Sequence, residues 1–358
     1  MGARAQAVIR LSALRHNLQR VRELAPNSQV MAAIKADAYG HGALQVAAAL
    51  DQADSLAVAT LEEAMQLHWH GESRPVVVLG GVQHLAEMRT AAEHGFQLVI
   101  HDDSHIEFLR QLEPVWNLTV WVKLDTGMHR LGFDPNRAGE LQQLLVDTPH
   151  VRLIGWMTHF ACADDLAHPL TEQQLSRFEE ALVGIDGDRS IANSAGIMAW
   201  PASHADWVRP GIMLYGSSPF MGNPAADYGL QPVMSLRSNL ISIHEVAAGE
   251  GVGYGQTWVC PQNTTVGVVG VGYGDGYPRH APNGTPVSIA GQRLPIIGRV
   301  SMDMICVDLG ELPSASVGDV VELWGDSISV DEIAEAAGTI SYELFCRLTG
   351  RVETLYEQ

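Results

Sequence analysis

An α/β fold, a (β/α)8 barrel of the TIM type followed by a mostly β domain, is what this sequence predicts, on three observations. Across the first two-thirds, short apolar β-rich runs alternate with amphipathic helical stretches, the pattern of a parallel sheet with crossover helices. The runs number eight, the count that closes a barrel. Beyond about residue 225 the crossovers stop and short alternating strands broken by turn residues take over, as in an all-β domain.

The barrel strands are expected at Val30–Lys35, Ser55–Thr60, Pro75–Gly80, Gln97–Ile100, Leu118–Leu124, Val151–Thr158, Ser190–Asn193 and Pro210–Tyr215. Helices such as Glu62–His70 and Thr171–Leu182 fall between them. The barrel then spans residues 10–225 and the β-rich domain 230–358, joined by the linker Met221–Tyr228, with residues 1–9 able to join the second domain. Within that domain, strands are expected at Leu240–Val246, Thr264–Val271, Pro286–Ile289, Met304–Leu309 and Asp319–Trp324. A short helix, Asp331–Ala337, follows Ser329, which stands at capping-box spacing from Glu332.

A net charge of −19 excludes nucleic acid and anionic membranes as partners, since either needs a basic face. No apolar run is long enough to span a bilayer and the N-terminus lacks a secretory core, so a cytoplasmic enzyme is expected. The four cysteines form no CxxC pair and read as reduced thiols. His159 and Cys162 have HxxC spacing, but no second ligand pair accompanies them, and no metal is expected. Gly251–Trp258 (GVGYGQTW) and Gly270–Arg279 (GVGYGDGYPR) look superficially like phosphate loops, yet neither leads into a helical pattern.

The chain contains only two lysines, Lys35 and Lys123, each at the end of an apolar run. Arginine-rich codon usage explains the scarcity but not the placement. A lysine amine forms a Schiff base, which a guanidinium does not. Lys35, Lys123, His159, Asn193-Ser194 and Gly211 all fall at expected strand ends, the catalytic face of such a barrel. The loops after the seventh and eighth strands are the usual phosphate position. A lysine beside a phosphate site suggests pyridoxal phosphate, with either lysine able to hold its aldehyde.

The string AIKADAYGHG (Ala33–Gly42) resembles the cofactor-lysine motif of alanine racemases, pyridoxal-phosphate enzymes of fold type III. The resemblance continues through VKLDTGMHRLGF (Val122–Phe133), THFACAD (Thr158–Asp164), ANSAG (Ala192–Gly196) and VRPGIMLYG (Val208–Gly216). In the second domain it takes in VGYGQTW, VGYGDGYPR, GRVSMDM (Gly298–Met304) and SYELFCR (Ser341–Arg347), so it covers nearly the whole chain in family order.

The resemblance implies residue roles. Lys35 would hold pyridoxal 5'-phosphate and act as the base on the D-alanine face, with Tyr254 the base on the L-alanine face. In the family that tyrosine comes from the second subunit, which implies a homodimer with shared active sites. Arg209 would donate to the pyridine nitrogen; Tyr39, Ser194, Gly211, Ile212 and Tyr342 would hold the phosphate. Arg130 and the Met302 backbone would engage the substrate carboxylate, and His159 would bond within the Arg209–Tyr254 network. Lys123 is similar to the family lysine that is often carbamylated and steadies Arg130. His129 departs from the motif, standing where glycine is common.

The chemistry agrees with these roles. Racemisation needs a base on each face, because one group does not cross the planar carbanion. Lysine and tyrosine ordinarily titrate near pH ~10, so service near neutrality needs cationic surroundings. Arginine never gives up its proton, so a ring nitrogen paired with it stays neutral; that weakens the electron sink and disfavours transamination or decarboxylation. Decarboxylases similar in the barrel use an acid at that nitrogen, and a mere cofactor carrier would not need the β domain. A broad-specificity racemase fits the same motifs. Taken residue by residue, other readings stand: Arg209 as a partner of Asp206, Ser194 as a helix cap, Lys123 as a partner of Asp125, Tyr254 and Tyr273 as strand aromatics.

Overall fold

The computed structural model describes residues 5–310 and 312–358. By internal contacts the chain divides into two compact units, one of residues 15–38 and 42–214 and one of residues 5–14, 39–41 and 215–358.

The N-terminal strand β1 (Ala5–Arg10) belongs to the second unit. The first unit is a closed barrel of β2 (Gln29–Ala33), β3 (Ser55–Val58), β4 (Val76–Val78), β5 (Gln97–Ile100), β6 (Leu118–Lys123), β7 (Val151–Met157), β8 (Asp188–Ser190) and β9 (Trp207–Val208). Every neighbouring pair is parallel, and β9 returns to β2. Met31, Ala57, Val77, Val99, Trp121 and Met157, one from each of six successive strands, form a single apolar cluster. These side chains fill the interior, so the barrel is a packed core and not a pore. Trp121 meets Trp207 edge-on at 5.9 Å and its indole N–H donates to Gln97 Oε1 at 3.0 Å. Truncating so large a buried ring to alanine costs about 3–5 kcal/mol. Gly155 is required in β7: a Cβ there would lie 1.9 Å from the carbonyl oxygen of Asp188.

Two barrel strands differ from expectation. The seventh is Asp188–Ser190 rather than Ser190–Asn193, because Asn193 caps the helix Ser194–Ala199 by accepting from Gly196 N at 2.9 Å. The eighth is Trp207–Val208 rather than Pro210–Tyr215. Pro210 has no N–H for a ladder, and Ile212–Tyr215 winds into a 3-10 turn. Gly211 therefore follows the eighth strand and does not open it.

In the second unit the strands after β9 are β10 (Met234–Val246), β11 (Gly251–Val252), β12 (Trp258–Val259), β13 (Thr264–Val269), β14 (Pro286–Ile289), β15 (Gln292–Ile297), β16 (Ile305–Asp308), β17 (Val320–Trp324) and β18 (Glu353–Glu357). Seven of them join β1 in one sheet of eight, in the order β13-β16-β15-β14-β17-β10-β1-β18. At 13 residues, β10 is long enough to pair with β13 as well as β17 and β1, so the order returns on itself. β15 carries a proline, but Pro295 stands opposite Pro286, a cross-strand pair with no N–H to satisfy on either side. The predicted capping box at Ser329 is absent. Ser329 Oγ accepts from Asp331 N at 3.1 Å, while Glu332 turns away to pair with Arg293. No helix among the described residues is long and apolar enough to cross a membrane.

Candidate active site

β2 ends at Ala33, two residues short of Lys35, which begins the turn Lys35–Gly40. That turn is left-handed: φ is +53°, +51°, +53° and +53° at Ala36, Asp37, Ala38 and Tyr39, and +75° at Gly40. L-residues pay about 1–2 kcal/mol each in this region, and such strain persists only where the surroundings over-determine it. Here they do. Glu63, capping the helix Leu61–Trp69 with Thr60, accepts from Ala36 N at 2.6 Å. Asp37 accepts from Ala43 N at 2.7 Å, and Ala38 N donates to Ile34 O at 2.8 Å. The lysine is thus set by its backbone.

Lys123 is the last residue of β6, His159 lies two residues past β7 and Arg209 follows β9 directly. The buried Arg209 guanidinium donates to Ser190 Oγ at 2.7 Å and to the carbonyls of Thr158 and Ile191 at 2.5 and 3.2 Å, and meets His159 Nδ1 at 3.4 Å. Burial lowers its pKa to about 10, which leaves it charged at neutral pH. Arginine only donates, so Nδ1 accepts and the imidazole proton sits on Nε2. Burial and the cations Arg209, Lys123, Arg130 and Lys35 hold His159 well below the ordinary histidine range. Burial, then Arg209, Arg130 and Lys35, pull Lys123 down to about 8, against the opposing charge of Asp125. The structure therefore brings Lys35, Lys123, Arg130, His159 and Arg209 into one cationic cluster.

Beside it, Ser194 Oγ accepts from Gly211 N at 2.9 Å and Met213 N at 3.3 Å. Ile212 is 1% exposed, and none of the described residues accepts from its N–H. Accepting both N–H groups leaves the Ser194 hydroxyl its own hydrogen to donate, and that donor with the Ile212 N–H suits an anion. Ser194 is not the helix cap; Asn193 is. Arg209 does not pair with Asp206, whose carboxylate accepts from Arg189 N.

Tyr39 and Tyr342 meet in the second unit, ring centroids 6.0 Å apart, and Tyr39 also packs on Tyr215 at 4.7 Å. Burial, with Cys346 nearby, pushes the Tyr39 phenol up, so it remains a donor. Tyr254 stands on the 3-10 turn Tyr254–Gln256 and not in a strand, and it is 69% exposed. Met302 is 52% exposed on a loop backed by the Gly270–Arg279 string. Gly274 N donates to Met302 O at 2.8 Å, and a Cβ on Gly272 would fall 2.4 Å from that same oxygen. The glycines of this phosphate-loop look-alike serve close backbone packing. His129 has φ +53°, the backbone reason glycine suits its position. Asp125 receives its N–H at 2.9 Å and faces its Nδ1 at 3.4 Å.

Sequence reasoning missed the residues that hold the cluster. Thr126 Oγ1 and Thr158 Oγ1 are 2.8 Å apart, and Gln174 spans His159 O, Thr126 Oγ1 and Ala161 N. All three are buried. Gln174 sat inside an amphipathic helix pattern, where one polar residue carries no signal.

The chain matches the family model described as "Alanine racemase, N-terminal domain" over residues 9–219 and the one described as "Alanine racemase, C-terminal domain" over 233–356. It is 51% identical over 354 residues to the alanine racemase of Nitrosococcus oceani, covering 98% of this chain and 99% of that one. The structure of biosynthetic alanine racemase from Pseudomonas aeruginosa superposes with a TM-score of 0.96 at 48% identity, covering all of both chains. That of the Bartonella henselae alanine racemase, described with covalently bound pyridoxal phosphate, gives 0.90 at 30% identity over 99% of this chain and 100% of that one. With both family models matched across a closed barrel and its β unit, the chain belongs to the alanine racemase family of isomerases acting on amino acids.

Proposed function

We propose that this chain interconverts L- and D-alanine with pyridoxal 5'-phosphate by a two-base mechanism, as a cytoplasmic homodimer supplying D-alanine for peptidoglycan or serving alanine catabolism. The observation that carries the reading is the cationic cluster around Lys35 in a barrel mouth that also offers buried anion donors. The donor set fits the cofactor. Lys35 would bind its aldehyde, and Ser194, Gly211 and the unaccepted N–H of Ile212 its phosphate, with Tyr39 and Tyr342. The hydrogen bonds of Arg209 run through its two terminal nitrogens, which leaves its Nε–H as the donor that would meet the pyridine nitrogen. What pyridoxal phosphate supplies is a sink for the electron pair left when an α-proton departs.

The chain's own groups do the rest. Lys35 Nζ moves the proton on one face of the α-carbon, and Tyr254 Oη from the partner protomer moves it on the other. The exposure of Tyr254 suits a group that serves a neighbouring subunit. Arg130 and the Met302 backbone hold the substrate carboxylate. Neutral His159 accepts from Arg209 and keeps that guanidinium oriented. Lys123, with its pKa near 8, is partly neutral near physiological pH and so able to take up carbon dioxide as a carbamate facing Arg130.

L-alanine incubated with the purified chain in deuterated water tests this directly, following α-proton loss by NMR beside optical rotation. Exchange with decay to the racemate is expected. Exchange without loss of rotation would leave one working base and end the two-base reading. No exchange in chain that holds the cofactor would rule out alanine as substrate.

A further inference from the structure

The β unit holds a compact network of polar side chains around Asp331. Asp331, one residue inside the helix Val330–Ala336, is half-buried, and among the described residues no ion pair reaches its carboxylate. It accepts from Ser217 Oγ at 2.5 Å, Ser218 N at 3.1 Å and Ser329 Oγ at 3.4 Å. Ser217 Oγ lies 2.5 Å from Ser341 Oγ, and both serines are buried. An ionised carboxylate only accepts. Ser217 therefore spends its hydrogen on Asp331, and the Ser341 hydroxyl donates towards Ser217 and Asp331 together. One acid fixes the polarity of a chain of two hydroxyls.

Both ends of that chain lead to aromatic rings. Ser341 immediately precedes Tyr342 at the start of the helix Ser341–Cys346, and Ser217 follows Tyr215 by two residues. Between Tyr215 and Tyr342 lies Tyr39, at 4.7 and 6.0 Å from them. Gly40 admits no Cβ, which would sit 2.3 Å from Phe345 O, so the Tyr39 backbone is pressed against the same helix.

We propose that Asp331 is a positioning residue for the cofactor phosphate, holding Tyr342 and Tyr39 in place by orienting the Ser217–Ser341 hydroxyl chain. The proposal rests on the reading of those two tyrosines as phosphate ligands. Burial raises the Asp331 pKa against the hydrogen bonds of Ser217, Ser218, Ser341 and Ser329, so the carboxylate is held there at a cost to its own solvation. Asparagine keeps the shape but not the pattern. Its amide offers an oxygen to one side only, so an NH2 group faces either the Ser218 N–H or the Ser217 hydroxyl.

The test compares uptake of pyridoxal phosphate with that of pyridoxal, which lacks the phosphate, by the visible absorbance of the bound compound. Asp331→Asn is expected to need about tenfold more pyridoxal phosphate for half-saturation, the effect of losing a hydrogen bond to a charged group, with pyridoxal uptake unchanged. Ser341→Ala, a milder change, carries the same expectation should the asparagine variant fail to fold. Equal weakening for both compounds, or for neither, overturns the proposal. A native chain that takes up neither compound breaks the cofactor reading itself, and this proposal with it.

Discussion

The barrel mouth and the loops of the β unit hold their proposed site residues in opposite ways. At the mouth, Arg209 is 7% exposed and each of its contacts is a backbone carbonyl or a buried side chain. Burial, with four cations crowding there, holds Lys123 and His159 well below their ordinary ranges. In the β unit, Tyr254 is 69% and Met302 52% exposed, and what fixes them is the backbone beneath, a tight 3-10 turn and a glycine-rich loop. Burial and charge therefore set the groups at the barrel mouth, whereas backbone geometry sets Tyr254 and Met302. A search for perturbed groups in a single chain would find Lys123, His159 and Arg209 at the barrel mouth.

Removing one base from each region sharpens this contrast most. Lys35→Ala is expected to lower racemisation by about 10^4-fold or more, losing both base and cofactor attachment; residual turnover within a few fold of native would move the chemistry to Lys123. Tyr254→Phe keeps the ring and is expected to cost about 10^3-fold without affecting cofactor uptake. Mixing the two dead variants then asks whether the regions meet across subunits. Random heterodimers contain one intact site, so roughly a quarter of native activity should return. No recovery after subunit exchange would place Tyr254 and Lys35 of a working site on one chain.

Smaller effects probe the mouth alone. The unfolded chain holds the Lys123 proton up to about pH 10.5, the ordinary lysine value, while the folded chain gives it up near 8. The unfolded state thus binds more protons in that window, and stability rises with pH across it, by on the order of 3 kcal/mol. Urea midpoints of native and Lys123→Met chains at both ends of the window read this as a gain present in the first and missing in the second. Smallest of all, His129→Gly should stabilise by about 0.5 kcal/mol through its left-handed backbone. A lowered thermal midpoint would show that the Asp125 contact outweighs the backbone strain.

The same contrast governs what could be read from sequence. Barrel strands such as Gln97–Ile100 were legible because a buried parallel strand is a continuous apolar run. β8 and β9 were misplaced because they are three and two residues long and their pattern is too short to carry a period. β1 and β15 were missed for other reasons: one pairs with strands more than two hundred residues away, and the other contains a proline excused only by its cross-strand partner. Lys35 stood out by rarity and placement. Gln174, Thr126 and Ser190 did not, since a buried hydrogen bond between distant segments leaves no local mark. Nor did the left-handed turn: KADAY contains no glycine at the four positions that adopt it.

That turn has a stereochemical consequence. Ala36 and Ala38 both hold φ of +53°, the half of conformational space that an L-residue enters at a cost and its mirror image enters freely. The scaffold of an enzyme family that inverts alanine thus places two of its own alanines in the geometry native to the D enantiomer. A semisynthetic chain with D-alanine at both positions would relax there, whereas D-residues in any of the neighbouring right-handed helices would break them.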